Sequence, residues 1–153
     1  MTKFLALVAM IAASPAVGQP RDRVHDEAAI RAILADTARG FNEQNVTSEL
    51  AHRTNDVDHI NVAGVWAQGK TELRKETVEF FKSHHPRMTV SIEKIRFLTP
   101  DVAYAIVKRS YKDEKGTRDS ISTSVFQKIK GRWWDVLFQN TFVRPAEQTP
   151  PSH

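Results

Sequence analysis

The sequence predicts an α+β domain in which N-terminal helices pack on a curved antiparallel sheet that encloses a small-molecule pocket. Apolar residues recur at helical three-and-four spacing early in the chain, and long strand-like runs fill its second half. Only short turn-forming segments separate these runs, which favours antiparallel neighbours because parallel strands need long crossovers. Helices and strands are thus segregated along the chain, as in an α+β fold.

The extreme N-terminus has the order of a signal peptide. Lys3 precedes an apolar run over residues 4–13, and Ala16, Val17 and Gly18 supply the small side chains that a signal peptidase accepts. The run is too short to cross a bilayer, which takes about 20 residues. We expect cleavage after Gly18, leaving a periplasmic or secreted protein.

The remaining chain has the length of one domain with one core. We place this domain at residues 26–144 and a loose, proline-rich tail at residues 145–153. The net charge is +4 and basic residues are interleaved with acidic ones, which argues against a nucleic-acid partner. The sequence has no cysteine and no metal-ligand spacing, phosphate loop or dinucleotide fingerprint. We therefore expect no metal, no cofactor and no membrane contact once the signal peptide is removed.

The helices are predicted from apolar spacing and capping residues. The first helix runs from Asp26, its expected N-cap, to about Gln44. Its buried face carries apolar side chains at three-and-four spacing, namely Ile30, Ile33, Leu34, Ala38 and Phe41. Asn45 is expected to cap a short second helix that ends near His52, and a third helix should cover residues 71–83.

The strands are predicted from alternation and from turn residues. A turn at Asn55 and Asp56 should precede a short strand over residues 57–62, which forms a small hairpin with residues 65–67. The long strands that follow are predicted at Met88–Leu98, Val102–Tyr111, Arg118–Ile129 and Trp133–Val143.

This order of elements resembles the nuclear transport factor 2-like superfamily, whose cone-shaped fold is shared by steroid isomerases and SnoaL-like polyketide cyclases. Residues 55–66, the pair Gly69 and Lys70, and residues 134–141 resemble the SgcJ/EcaC branch of the SnoaL-like proteins. The resemblance implies a pocket inside the cone and pairing of two copies of the chain. Fold alone does not specify a reaction.

The resemblance also allows a test of steroid-type chemistry. In the steroid-isomerase relatives a carboxylate moves the proton and an aromatic hydroxyl stabilises the oxyanion. Asn61 stands at the position of that carboxylate, and about Thr37 stands at the position of the hydroxyl. An amide cannot accept a proton at neutral pH, and threonine is a far weaker acid than tyrosine. Steroid-type isomerisation is therefore disfavoured.

Strand alternation nominates the residues of the pocket. His59 and Asn61 share one face of the first strand, and His59 is either an acid or base of the site or a structural, hydrogen-bonded histidine. Asn140 should bond to protein, with Asn61 as one candidate partner, or to a ligand. Trp66 and Phe41 are nominated as apolar walls, with core filling as the alternative. The pocket face of the last strand is expected to carry Trp134, Val136, Phe138, Asn140 and Phe142.

The opposite face of the last strand suggests a partner. It is expected to carry Trp133 and Leu137, with Ile121 and Val125 from the neighbouring strand joining them. Monomers seldom expose apolar patches of this kind, and a two-fold contact would bury the patch against its own copy. The sequence therefore predicts a homodimer formed through the outer sheet face.

Two classes of function remain. In the first, the protein binds a small, mostly apolar molecule, and His59, Asn61 and Asn140 orient it or transfer a proton in an isomerisation or cyclisation. In the second, the chain is a non-catalytic ligand-binding or dimeric assembly module. Polar groups converging inside an apolar cone favour the first class. The missing carboxylate and the lack of a cofactor motif favour the second.

Overall fold

A computed structural model describes residues 20–143, so the predicted signal peptide and tail lie outside the described residues. The helices are α1 (Pro20–Asn42), α2 (Val46–Glu49) and α3 (Lys70–Ser83). The strands are β1 (Arg53–Ile60), β2 (Trp66–Gln68), β3 (Arg87–Thr99), β4 (Val102–Asp113), β5 (Gly116–Ile129) and β6 (Arg132–Phe142). Between residues 20 and 143, none of the helices has the length and apolar character needed to cross a membrane.

The strands form one curved, unclosed sheet in the order β2-β1-β6-β5-β4-β3, against which the helices pack. The predicted α+β class and the antiparallel meander from β3 to β6 are both confirmed. One pair differs from the prediction, because β1 runs parallel to β6. The chain between them, which contains α3 and four strands, supplies the long connection that parallel neighbours need.

Two predicted boundaries at the start of the domain are wrong. Asp26 is not an N-cap, because α1 has already begun at Pro20. Its carboxylate instead accepts a hydrogen bond from the indole N–H of Trp133 at 2.8 Å and pairs with the Lys128 ammonium at 2.6 Å. Asn55 and Asp56 lie inside β1 and do not form a turn. β1 begins earlier than expected because Arg53 is already paired with Asp135 of β6.

The connection between α1 and α2 is close to the prediction. The Asn45 side chain caps α2 by accepting a hydrogen bond from the Ser48 N–H at 3.1 Å, although α2 ends at Glu49 and not near His52. Gly40 lets α1 approach α2, because a Cβ at this position would lie 2.3 Å from the backbone nitrogen of Glu49. A side chain at residue 40 would therefore displace the backbone that carries Glu49.

A β-bulge reverses the predicted alternation in the first half of β6. Phe126 of β5 is paired with Asp135, whereas the preceding Val125 is paired with Leu137, so Val136 is an extra residue on β6. An extra residue moves all earlier side chains to the opposite face of the strand. The face assigned to the N-terminal half of β6 is therefore wrong, and the face assigned to its C-terminal half is correct.

The two tryptophans of β6 exchange roles as a result. Trp133 is only 3 % exposed and packs edge-on against Phe97 at a ring distance of 5.7 Å. It is part of the interior and cannot form the outer patch to which it was assigned. Trp134 lies on the outer face beneath the Arg132 guanidinium, 4.2 Å from the ring centre.

The interior has two ends of different character. At the end that we call the closed end, helix α1 and strands β4 to β6 enclose an apolar cluster of Ile30, Ile33, Leu34, Ala103, Ala105, Val107, Phe126 and Trp133. Further along the same strands the inward-facing side chains become polar. This polar end carries Arg109, Tyr111, Ser120, Ser122 and Asn140.

Candidate functional site

A cavity of about 330 Å³ opens at the polar end, between the helices and the sheet. Its apolar walls are mainly aromatic and are formed by Phe41, Val62, Leu73, Phe80, Phe81, Pro86, Phe138 and Phe142. Its polar lining includes Glu49, His59, Asn61, Glu76, Tyr111, Arg118 and Asn140. Ligand sites usually combine apolar walls with a few such polar groups, so this cavity is the candidate site.

Three residues expected in the pocket lie elsewhere, and their predicted placement is wrong. Trp66 is 52 % exposed, and its indole N–H donates to the Asp58 carboxylate at 2.8 Å. The buried hydroxyl of Thr37 donates to the Ile33 carbonyl of its own helix at 2.9 Å. Trp134 lies on the outer face because of the bulge in β6.

Asn61 lines the cavity, but its amide also holds the turn between β1 and β2. The amide oxygen accepts the N–H groups of Ala63 at 2.9 Å and Val65 at 3.2 Å. The side chain is therefore already engaged in an Asx-type turn. Its interaction with Asn140, one of the alternatives raised by the sequence, is absent among the described contacts.

Asn140 is instead bonded to Tyr111. The Asn140 amide nitrogen donates to the Tyr111 hydroxyl oxygen at 3.1 Å, and its amide oxygen accepts the N–H of Thr141 at 3.1 Å. Tyr111 packs edge-on against Phe41 at 5.7 Å, and burial raises the pKa of its hydroxyl above the ordinary value. Sequence reasoning missed Tyr111, although it lies two residues after Arg109 on the same strand face.

His59 lies deep in the cavity wall. Its ring stacks on Phe138 at 4.6 Å, and its Nδ1 is buried without a hydrogen-bond partner among the described residues. Burial, assisted by the nearby positive charges of Arg53 and Arg109, lowers the pKa of His59 to about 3. The imidazole is therefore neutral at physiological pH, which removes the reason for expecting it to titrate there.

Buried charges lie directly behind this wall. Arg53 forms an ion pair with Asp135 at 2.8 Å, and both side chains are less than 5 % exposed. Arg109 has uncharged partners, since its Nε donates to the Ser122 hydroxyl at 2.8 Å and its Nη1 contacts the Met88 sulfur at 3.5 Å. Both guanidinium groups also lie about 5 Å from the Phe138 ring.

Glu49, at the end of α2, is the acidic group of the site that sequence reasoning missed. The residue is half-buried, but its Oε2 is shielded from solvent and has no hydrogen-bond partner among the described residues. Burial raises the pKa of the Glu49 carboxyl to about 7, and the positive charges of Arg53 and Arg109 oppose this shift. A glutamate on a short, capped helix looks like an ordinary surface residue in the sequence.

The site thus brings together a neutral imidazole, a carboxyl that titrates near neutral pH, a phenol and an amide, all within aromatic walls. Such a set can hold a molecule with one or two polar atoms and can exchange a proton through Glu49. Within residues 20–143, no three His, Cys, Asp or Glu side chains are grouped to hold a metal ion.

Comparison with solved structures identifies the fold. A cystatin-like-fold domain of unknown function from Nostoc punctiforme PCC 73102 has a TM-score of 0.75 and 22 % identity, covering 80 % of each chain. A ketosteroid isomerase-like protein from Erwinia carotovora atroseptica SCRI1043 has a TM-score of 0.70 and 18 % identity, covering 77 % of this chain and 96 % of that protein.

An NTF-2 like protein of unknown function from Shewanella oneidensis MR-1 also has a TM-score of 0.70, with 16 % identity over 76 % of this chain and 98 % of that protein. No protein-family model matches the sequence, and no curated protein matches it. The chain therefore has the NTF2-like, cystatin-like fold that the order of its elements predicted.

Proposed function

We propose that this NTF2-like chain binds a small, mostly apolar molecule in the cavity at the polar end of its cone. One observation carries the proposal: buried polar atoms of His59 and Glu49 have no partners among the described residues, in a cavity whose apolar walls are mainly aromatic. A buried polar atom without a hydrogen bond costs about 1 to 3 kcal/mol. A ligand that supplies the missing partners would recover part of that free energy.

The chemistry that follows binding is proposed to be proton transfer, in an isomerisation or a cyclisation of the SnoaL-like type. A proton-exchanging carboxyl in the cavity supports this, as does the similarity in fold to a protein described as ketosteroid isomerase-like. The alternative is non-catalytic binding. Asn61 at the position of the family's carboxylate and the neutral His59 favour that alternative, so binding is the part of the proposal to test first.

Binding can be tested with 2-methoxynaphthalene, an apolar fluorescent probe. Thr77 lines the cavity from α3, so Thr77→Trp should fill the cavity and raise the dissociation constant at least about 10-fold. Thr71→Trp, on an exposed position of the same helix, is the matched control and should leave binding unchanged. Circular dichroism checks that both variants are folded. Absence of saturable binding, or equal binding by all proteins, would contradict the proposal.

Export and dimerisation are proposed as the setting of this activity. Residues 1–18 support export to the periplasm or secretion, and the sequence read from the N-terminus of the exported protein should begin near Gln19.

The outer sheet face supports a homodimer even without Trp133. It carries the half-buried Tyr104, Ile106, Val125 and Leu137 and the 41 % exposed Ile121. Light scattering at micromolar concentration should give twice the monomer mass.

A further inference from the structure

We infer that the molecule taken by this cavity presents a hydrogen-bond donor, a hydroxyl or an N–H group, to the Glu49 carboxylate. The inference rests on the proposed function, since it names the chemical class of ligand for the same cavity. It assigns Glu49 as the residue that selects this class. A small aromatic alcohol or amine fits this cavity, because its apolar walls are mainly aromatic and the unpaired Oε2 of Glu49 can accept one hydrogen bond.

The position of Glu49 is the first reason. The residue ends α2, whose backbone is held against α1 by the close approach at Gly40 and by the Asn45 cap. The backbone that carries the Glu49 side chain is therefore held in place at the cavity lining. Its Oε2 is shielded from solvent and lacks a partner among residues 20–143. An acceptor that is held in place and shielded from water is suited to a donor brought by a ligand.

The charges around Glu49 are the second reason. The charges of Arg53, Arg109 and Tyr111 act on Glu49 directly. The other ionisable groups that line the cavity with it are His59, Glu76, His84 and Arg118. Asp135 neutralises Arg53 through their direct ion pair, whereas Arg109 has only uncharged hydrogen-bond partners. An ionised Glu49 balances this remaining buried charge, so the anionic form needs only a hydrogen-bond donor to be stabilised.

Other classes of ligand fit less well. An anionic ligand would place a further negative charge beside Glu49 and Glu76, and like charges in one site repel. The guanidinium of Arg118, which also lines the cavity, is already paired with the Asp113 carboxylate. A ligand with only an acceptor, such as an ether, can pair with Glu49 only when the carboxyl is protonated. A donor pairs with the carboxylate, and charge-assisted hydrogen bonds are about twice as strong as neutral ones.

This assignment couples binding to pH. In the free protein, burial raises the pKa of Glu49 to about 7, so the carboxyl is largely protonated at pH 5.5 and largely ionised at pH 8. If the ionised form is the one that binds a donor, affinity falls in proportion to its population, which is about 30-fold between pH 8 and pH 5.5. Binding near neutral pH should also release a proton to the buffer.

The test compares 2-naphthol with 2-methoxynaphthalene, which has the same rings without the donor. With the wild-type protein at pH 8, isothermal titration calorimetry should give 2-naphthol a dissociation constant at least about 10-fold lower. The 2-naphthol constant should rise about 30-fold at pH 5.5, while that of 2-methoxynaphthalene stays within about two-fold. Calorimetry at pH 7 in buffers of different ionisation enthalpy should detect proton release with 2-naphthol only.

Glu49→Gln keeps the shape and removes the charge, so it should abolish the pH dependence and most of the preference for 2-naphthol. Glu79→Gln changes an exposed glutamate of α3 that does not line the cavity, and it should preserve both. If 2-methoxynaphthalene fails to bind in the cavity, the proposed function fails. If it binds there but 2-naphthol shows no preference, or Glu49→Gln keeps the preference and its pH dependence, the proposed function stands and the assignment of Glu49 is overturned.

Discussion

The two ends of the cone are built from the same strands but differ in what those strands turn inward. At the closed end, β4 presents Ala103, Ala105 and Val107, all fully buried, to the apolar face of α1. Two residues later the same face carries Arg109 and then Tyr111 beside the cavity. Neighbouring strands change in the same direction, so the transition is a property of the whole sheet.

The difference separates stability from function. Small alanines at the closed end let α1 approach the sheet, and the large side chains around them fill the remaining space. At the polar end, the side chains leave a cavity unfilled, and several buried polar atoms have no hydrogen-bond partner among the described residues. The small serines of β5 and the buried charges lie in this part of the interior. A protein that only needed to be stable would gain from replacing these groups with apolar ones.

The largest effect is expected from breaking the buried ion pair behind the cavity. Asp135→Ala leaves the Arg53 guanidinium buried and unpaired, so the free energy of unfolding should fall by about 3 to 5 kcal/mol. The double variant Arg53→Met with Asp135→Leu should recover most of this loss, because no buried charge is left alone. Urea unfolding measures both. Equal losses in the single and double variants would show that the pair is not the cause.

A comparison of two phenylalanine substitutions tests whether the closed end determines stability and the polar end determines binding. Phe126→Ala, at a fully buried position of the closed end, should cost about 3 to 5 kcal/mol of unfolding free energy and leave binding of 2-methoxynaphthalene by folded protein unchanged. Phe80→Ala, at a 40 % exposed position of the cavity wall, should cost less than about 1.5 kcal/mol and weaken binding severalfold. If both variants lower both the unfolding free energy and the affinity for 2-methoxynaphthalene by similar amounts, stability and binding do not belong to different ends.

The unpaired groups of the polar end should make stability depend on pH in opposite directions. The folded-state pKa of His59 is lowered from 6.5 to about 3, so the protein loses stability as the pH falls below 6.5. The folded-state pKa of Glu49 is raised from 4.5 to about 7, so the protein loses stability as the pH rises from 4.5 to 7. At about 1.36 kcal/mol per pKa unit, the effect of His59 amounts to about 5 kcal/mol between pH 6.5 and pH 3, and that of Glu49 to about 3 kcal/mol between pH 4.5 and pH 7.

Single substitutions separate these two contributions. Relative to wild type, His59→Gln should gain unfolding free energy as the pH falls from 7 to 4, and Glu49→Gln should gain it as the pH rises from 4 to 8. Chemical unfolding at each pH provides the values. Parallel pH profiles for wild type and either variant would mean that the substituted group keeps its ordinary pKa in the folded protein.

A smaller effect than at the buried ion pair is expected at Asn140. Asn140→Ala removes the donor to the Tyr111 hydroxyl, which should lower the unfolding free energy by about 1 to 3 kcal/mol. If the amide only supports Tyr111, the affinity for 2-naphthol should change by less than about three-fold. A larger loss of affinity than of stability would instead make Asn140 a direct ligand contact.

Much of this architecture is predictable from the sequence because it depends on local patterns. Helical spacing, the Asn45 cap and the short turns between β3 and β6 determine the α+β class and the meander. The bulge at Val136 is not predictable in this way, because an extra residue in one strand is visible only through its pairing with the next. That single residue misplaced both Trp133 and Trp134.

The site was harder to predict than the fold. Asn140 and Phe138 follow the bulge, so alternation placed them correctly at the cavity. Glu49 lies on a four-residue helix whose own sequence has no amphipathic pattern, and its burial arises only from packing against α1 and the sheet. The sequence does contain one usable signal, the change from Ala103, Ala105 and Val107 to Arg109 on one face of β4.

The central claim, that the polar end of the cone is a binding site, is tested most directly by locating a bound probe. Crystals soaked with 6-bromo-2-naphthol should show an anomalous bromine peak between the rings of Phe41, Phe80 and Phe138, with the hydroxyl oxygen within hydrogen-bond distance of Glu49. Crystals of Thr77→Trp should lack the peak. A bromine peak only at the closed end or on the outer sheet face, with the cavity empty, would contradict the account.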